Sequence, residues 1–452
     1  MMEAQRALAK LERMPVSHWH LKTFWVLGFA LQFNGILNSS GNSVLADLVD
    51  RGWSSNYWNA FFSSAMMVGF FIGSLVAGAL GDRIGRKRTY ELCILVFGTM
   101  ALVAAFAPNM VFLIVCRGLM GIGMGGGIVL GYGSFTEFIP ARVRGTWSAR
   151  ISLLGNLSPL IAAVLAAILI PVASWRAMFA VGGVASLVML VVVHFKLDES
   201  PRWLIETGRV EEGMEVIERV AAQSGYIDTG ENADDIPPVV AEEIKTPFWD
   251  FFRGELGRRT LVATATLIAM NLSLYTITQW VPTIFINQGI DIKSSLLMSL
   301  TMMIGAPIGV FISTLIMDRF PRKILGTTLI MMIAALGYIY ANQTTETSVL
   351  LVGTLMIMVL YIYNSFSSAV YAPEIWPTEQ KMRGLGIANS IGRITAILSP
   401  YLVAWLLTDF GVVAVFVVLG GLLTTCALIL AVFGIETRGK SCEEMAVGNE
   451  RE

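Results

Sequence analysis

The sequence predicts an all-α membrane protein with twelve transmembrane helices, arranged as two six-helix bundles related by a pseudo-two-fold axis. Three observations carry this reading. Hydrophobic residues make up 55% of the 452-residue chain and charged residues only 14%, against roughly 25% charged in soluble domains. The apolar residues collect in runs of about 20, the length that crosses roughly 30 Å of hydrocarbon. The second half of the chain also repeats landmarks of the first.

The runs lie at 23–45, 57–80, 89–107, 110–135, 146–170, 175–197, 259–283, 294–317, 324–341, 347–370, 384–408 and 412–434. A polar stretch, 198–257, contains the acidic segment 231–238 and separates an N-terminal bundle, 23–197, from a C-terminal bundle, 258–435. Residues 1–22 read as an amphipathic cytoplasmic segment. They lack the apolar core of a signal peptide, so the first run is expected to stay as a membrane anchor. Residues 436–452 read as a cytoplasmic tail. Placing both termini in the cytoplasm leaves only Arg51, Arg176 and Lys293 in outward loops and Arg117 and Arg393 inside spans. The other 27 of the 32 Lys and Arg residues fall on the cytoplasmic side, the asymmetry that sets orientation.

The repeat is co-linear. The stretch 82–87, Asp-Arg-Ile-Gly-Arg-Lys, returns at 318–323 as Asp-Arg-Phe-Pro-Arg-Lys, an offset of 236. Glu137 and Pro140 return as Glu374 and Pro377, and Glu199 as Glu436, at an offset of 237. Arg144-Gly145 returns as Arg383-Gly384. Each copy follows the same span of its own half. Duplicated halves of this kind are expected to share a cavity near mid-membrane.

Several stretches resemble signatures of the major facilitator superfamily. Gly78-x-x-x-Asp82-Arg83-x-Gly85-Arg86-Lys87 matches its loop between helices two and three, and Arg117-x-x-x-Gly121-x-x-x-Gly125 looks like its helix-four motif. Glu199-Ser-Pro-Arg-Trp-Leu204 and Glu436-Thr-Arg-Gly-Lys440 resemble the sugar-porter motifs after helices six and twelve. Tyr371-x-Pro-Glu374-x-x-Pro377-Thr378 is similar to the helix-ten motif of organic-ion and sugar-porter-like carriers. The resemblance runs from residue 78 to 444 and is strongest to bacterial inner-membrane metabolite transporters. It implies alternating access by a multi-pass transporter and a cytoplasmic charge network that latches the halves when the carrier faces outward. Carried over residue by residue, that network is Asp82, Arg83, Arg86, Glu137, Arg144 and Glu199 in the first half and Asp318, Arg319, Arg322, Glu374, Arg383 and Glu436 in the second. Arginine forks suit carboxylates, and exposed pairs are weak enough to break in each cycle. A solvated, positive-inside loop set is the alternative. Pro321 stands where the first loop has Gly85, so the second loop is expected to latch more weakly.

Polar residues inside hydrocarbon are costly and mark function. Arg393 lies about ten residues into its run, roughly 15 Å deep, and a guanidinium grips a carboxylate through two parallel bonds. It is read as the ligand of a substrate anion, with Asn389 one turn away; pairing with backbone carbonyls is the structural alternative. Asn271, Tyr275, Thr278 and Gln279 share one helical face of span seven. Gln32, Asn34 and Asn38 on span one and Tyr361 and Asn364 on span ten complete a candidate binding set, with interhelical hydrogen bonding as the alternative for each alone. By resemblance, Arg117 assists coupling; a structural role is the alternative. No Asp or Glu lies near the middle of any span, and Gln32 and Asn34 occupy the neighbourhood where many proton-coupled relatives place an aspartate. A neutral amide carries no proton in this pH range. Protons as the coupling ion are therefore in question, with a protonated substrate, uniport or exchange as alternatives.

A net charge of −1 gives no sign of nucleic-acid binding. Three histidines and four scattered cysteines form no catalytic, metal or phosphate-binding constellation, so neither enzyme nor cofactor is expected. The expected partners are the lipid bilayer and a small-molecule substrate, and the expected state is a monomer. The leading function is uptake of a small polar, carboxylated metabolite across the inner membrane. The alternatives are a sugar or polyol proton symporter, a drug antiporter and a ligand sensor. Span five has only Gly155 and Ser158-Pro159 where drug antiporters carry a Gly-Pro motif, and 198–257 is short for a signalling domain.

Overall fold

Apolar runs of this length coil into helices because a backbone amide in hydrocarbon has no partner but its own chain. The computed structural model describes residues 14–224, 247–317, 319–376 and 380–437. Among these, eleven helical spans are long and apolar enough to cross a membrane. Span two is Asn56–Ile84, span three Arg86–Ala105, span four Met110–Phe138 and span six Trp175–Lys196. Span seven is Gly254–Asn287, span nine Arg322–Ala341, span eleven Lys381–Asp409 and span twelve Gly411–Phe433. Spans five, eight and ten are interrupted. The helix His18–Asp50, 33 residues long, is span one. Gln32, Asn34, Asn38, Ser39, Ser40, Asn42 and Ser43 dilute its apolar character, which keeps it out of the eleven. No strand occurs among the described residues.

Proline explains each interruption, because its nitrogen cannot donate to the carbonyl four residues back. Span five is Ala141–Asn156 followed by Ser158–Ala173, ahead of Pro159. Span eight is Ile292–Met303 followed by Gly305–Ile316, ahead of Pro307. In span ten, Glu346–Ser365 passes into a π turn, Phe366–Tyr371, just before Pro373. Side-chain caps fix several starts: Asn109 Oδ1 accepts from Phe112 N at 2.9 Å and Asp291 Oδ2 from Ser294 N at 3.0 Å, satisfying amides the helix leaves unpaired.

The polar stretch after span six is partly helical. Ser200 caps a short helix, Pro201–Glu206, and a second, Val210–Ser224, buries Val216, Ile217, Val220 and Ala221 along one face. Residues 225–246, with the acidic segment, lie outside the described residues. So do residues 1–13 of the N-terminal segment and 438–452 of the tail.

The chain divides into two units. One comprises Met1–Asn38, Ala65–Pro159 and Arg176–Ala241; the other comprises Ser39–Ser64, Leu160–Trp175 and Glu242–Glu452. The first unit is held by a glycine crossing. A Cβ on Gly69 would lie 2.2 Å from the Gly118 carbonyl oxygen, and one on Gly73 1.9 Å from that of Ile122. Spans two and four therefore touch backbone to backbone, as small-x-x-x-small helices do in membranes. The second unit repeats the crossing between spans eight and ten. There a Cβ on Gly305 would lie 2.4 Å from the Thr354 carbonyl oxygen, and one on Gly309 2.3 Å from that of Met358. All four positions stand at the same offset of 236 residues.

Candidate functional site

Two clusters of charge lie at the loop ends. Span three begins at Arg86 and span nine at Arg322, and in each half the glutamate after the last span reaches the first amides of that helix. Glu199 Oε1 accepts from Lys87 N at 3.0 Å. Glu436 accepts from Arg322 N at 2.8 Å and Lys323 N at 3.2 Å. A carboxylate is favoured at the positive end of a helix, which gives the sequence repeat a physical meaning. Gly85 is needed for this contact: its φ is +105°, and a Cβ would sit 2.3 Å from Glu199 Oε2.

In the first half Arg86 Nη1 donates to Asp82 Oδ1 at 2.6 Å, one turn back, and Trp203 Nε1 to the Asp82 carbonyl at 2.8 Å. In the second, Arg322 grips Glu374 through Nε at 3.1 Å and Nη2 at 3.2 Å, and also donates to the Met317 carbonyl. Thr437 Oγ1 donates to Glu374 at 2.7 Å. Tyr371 OH donates to the Ile435 carbonyl at 2.9 Å and accepts from its amide at 3.0 Å, so the helix-ten motif anchors the exit of span twelve. The second loop thus carries a bidentate pair despite Pro321. Arg83 and Arg319 are exposed, and Arg383 lies over the Phe251 ring, 5.8 Å from its centroid. Asp318 lies outside the described residues, as do the side chains of Glu137 and Arg144.

The mid-span residues fall into two sets. On spans one and four, Arg117 is buried and donates to the carbonyls of Leu37 at 3.0 Å and Asn38 at 2.8 Å. Those bonds tie span four to span one, the structural role that was the alternative for Arg117. Asn34 Nδ2 donates to the Met124 carbonyl at 3.0 Å, and its Oδ1 is buried without a partner among the described residues. Both amide atoms of Gln32 are likewise buried and without a partner among the described residues. Unmade hydrogen bonds are expensive in a low dielectric, so these atoms call for water or a ligand. Asn38 is half-buried.

The second set centres on Arg393, twelve residues into a 29-residue helix, about 18 Å from its start at 1.5 Å per residue. Its side chain is half-buried and makes no hydrogen bond or ion pair among the described residues. Tyr275 lies within Coulombic range of it, and Tyr361 within range of Tyr275. Gly392 lets span seven close in: a Cβ there would stand 3.1 Å from Asn271 Nδ2. Asn271 and Asn389 each donate Nδ2 to the carbonyl four residues back, at 2.8 and 3.0 Å. Their Oδ1 atoms remain as acceptors. Asn364 is half-buried on span ten. The set therefore offers a cationic fork beside phenol and amide groups, and every Asp or Glu of the described spans lies near a helix end.

Gln279 is held elsewhere. Its Nε2 donates to Ser63 Oγ at 2.6 Å, within a cluster on spans two, seven and eleven. There Asn56 and Asn287 exchange amide bonds at 3.2 and 3.3 Å, and Asn56 reaches Thr408 Oγ1 at 3.3 Å. The sequence motifs mark neither Ser63, Asn56, Asn287 and Thr408 nor Asp47, which is fully buried three residues before the end of span one. Asp47 accepts from Arg51 Nε and from Trp175 N at the start of span six, at 2.9 and 3.0 Å. The i, i+4 spacing of Asp47 and Arg51 was the available signal.

The chain matches the family described as "Sugar (and other) transporter" over residues 22–448. It belongs to that family, within the major facilitator superfamily. The carrier is 49% identical to the inner membrane metabolite transport protein YdjE of Escherichia coli K12, over 98% of both chains. It is 26% identical to the niacin transporter NiaP of Acinetobacter baylyi, over 97% of this chain and 99% of that one. It is also 26% identical to the 4-hydroxybenzoate transporter PcaK of Pseudomonas aeruginosa, over 90% and 91%. A partially occluded, inward-open structure of the E. coli xylose transporter XylE superposes with a TM-score of 0.70 at 16% identity, over 92% of this chain and 99% of that one. That likeness establishes the fold. The carrier is a membrane transporter and not an enzyme.

Proposed function

We propose that the carrier takes up a small carboxylated metabolite across the inner membrane, with both termini in the cytoplasm. The observation that carries this is Arg393: a half-buried guanidinium at mid-helix with no acidic partner among the described residues. A charge in a low dielectric needs a counter-charge, and a substrate carboxylate supplies one. The Asn271 and Asn389 oxygens then suit a hydroxyl or N–H on the same molecule, and the tyrosines suit an aromatic ring. The names of two relatives point the same way, since niacin and 4-hydroxybenzoate are both aromatic carboxylates. The test is calorimetry on the purified carrier with nicotinate, 4-hydroxybenzoate, their neutral amides and xylose. An acid should bind at least tenfold tighter than its amide, the equivalent of about 1.4 kcal/mol. Equal affinity for acid and amide, or tighter binding of xylose, overturns the proposal and favours a sugar or polyol, the reading the family description supports.

Coupling follows from the same inventory. With every Asp and Glu of the described spans near a helix end, the route this reading leaves for a proton is with the protonated acid. Counterflow in proteoliposomes should persist without a pH gradient. Steep gradient-driven accumulation of a permanently neutral substrate would reveal a proton site elsewhere in the carrier.

The charged loop ends act as the latch. Asp82→Asn should slow transport and leave ligand affinity unchanged, because Asp82 bonds only at the loop end and its side chain is 72% exposed. Equal loss in transport and in direct binding refutes that assignment.

A further inference from the structure

Spans three and six leave a groove between them at the end that carries the signature loop, about 570 Å³ in volume. Its walls are Leu92, Leu95, Leu190, Val191 and Phe195. Four of these are exposed, Phe195 by 76%. Large apolar side chains gathered this way on a membrane span face hydrocarbon, and the groove has the character of an acyl-chain slot.

Its mouth is polar. Arg88, Glu91 and His194 border it. His194 Nδ1 lies 3.2 Å from Glu91 Oε1, so that carboxylate has a partner. Glu212, in Coulombic range of Arg88, is bonded to Arg209. Arg88 itself is exposed and makes no hydrogen bond or ion pair among the described residues. Lys87 stands beside it, its Nζ donating to the His194 carbonyl at 2.7 Å, and Lys196 is exposed just past His194. Arg88, with Lys87 next to it and Lys196 two residues past His194, gives the mouth a basic side, while Glu91 faces His194 and Glu212 is bonded to Arg209.

We propose that this groove holds one anionic phospholipid of the adjoining leaflet, an acyl chain along Leu92, Leu95, Val191 and Phe195 and the phosphate on Arg88. Basic pockets between transmembrane helices select anionic headgroups in this way. A zwitterionic lipid offers the same phosphate but returns a positive charge to the Arg88 side, which weakens it. The site adjoins the latch: Arg88 stands three residues beyond Gly85, and the amide of Lys87 is the one that Glu199 holds. A bound lipid therefore buttresses the start of span three, and transport should rise with the anionic lipid content of the bilayer.

Native mass spectrometry of the detergent-purified carrier tests this, with phosphatidylglycerol, phosphatidylcholine of the same chains and soluble glycerol phosphate as probes. Wild type should retain phosphatidylglycerol about fivefold better than phosphatidylcholine, the selectivity expected of one arginine at the interface. Arg88→Gln should abolish that preference, and Leu95→Trp, which fills the slot, should reduce both lipids. Both positions are exposed, so the variants should keep the wild-type unfolding temperature. Equal retention of the two lipids by wild type overturns the proposal, as do unchanged adducts in both variants. Binding of glycerol phosphate as strong as that of the lipid would make this a soluble-anion site, and loss of a dimer in Leu95→Trp would make it a protein interface; either result overturns it.

Discussion

Arg393→Ala will lose about 100-fold in affinity for the carboxylated substrate, roughly 3 kcal/mol, the cost of removing one member of a desolvated charge pair. Arg393→Lys keeps the charge but replaces two parallel bonds by one, and should lose about tenfold. Both variants should stay folded. The free carrier gives Arg393 no hydrogen bond or ion pair among the described residues, so truncation orphans no described group, and thermal stability without ligand should hold or rise. That separation of binding from stability is the signature of a ligand contact. A structural arginine behaves in the opposite way: truncating Arg117, which holds two carbonyls of span one, should lower the unfolding temperature. If Arg393→Lys binds the identified ligand as tightly as wild type does, no carboxylate rests on that fork and the substrate is neutral.

Gly73→Ala and Gly309→Ala should each prevent accumulation of folded carrier. The added methyl group would stand 1.9 Å from the Ile122 carbonyl oxygen in one case and 2.3 Å from that of Met358 in the other. Backbone cannot swing aside as a side chain does, so the two helices must part. Overpacking of this kind costs about 3 kcal/mol or more, and the loss of close helix contact adds to it. Gly78→Ala, on the same span, has nothing within 4 Å of its Cβ position and should be tolerated. Size-exclusion chromatography of detergent extracts distinguishes the outcomes; a monodisperse Gly73→Ala peak at wild-type yield would refute the crossing.

Eleven of the spans were legible because each rests on a local property: enough consecutive apolar residues to cross hydrocarbon with every amide satisfied within its own segment; span one, diluted by Gln32, Asn34 and Asn38, was marked only by the weaker run 23–45. The duplication was legible through its loops, where Asp82 to Lys87 returns as Asp318 to Lys323. It escaped notice in the spans, because a glycine pair such as Gly69 and Gly73 acquires meaning only when the partner helix is known. The breaks in spans five, eight and ten lie at Pro159, Pro307 and Pro373, but Pro171, Pro282 and Pro400 sit inside unbroken helices, so a proline by itself does not say where a span breaks. The amphipathic helix Val210–Ser224 was missed because charged residues dominate its composition, while its apolar face repeats at helical spacing.

By itself the sequence determined the class of molecule, the number of spans, the charge landmarks at the loop ends and the residues that carry polarity into hydrocarbon. Tertiary structure alone decided what those polar residues do. Arg117 and Arg393 are the same residue type in similar apolar runs, yet one is spent on the carbonyls of Leu37 and Asn38 and the other is left without a partner among the described residues. Gln279 and Tyr275 share a face of span seven, yet one is held by Ser63 and the other stands near Arg393. Periodicity fixes which face of a helix is polar, but a hydrogen bond needs a partner within about 3 Å. That distance is set by how helices far apart in the chain cross.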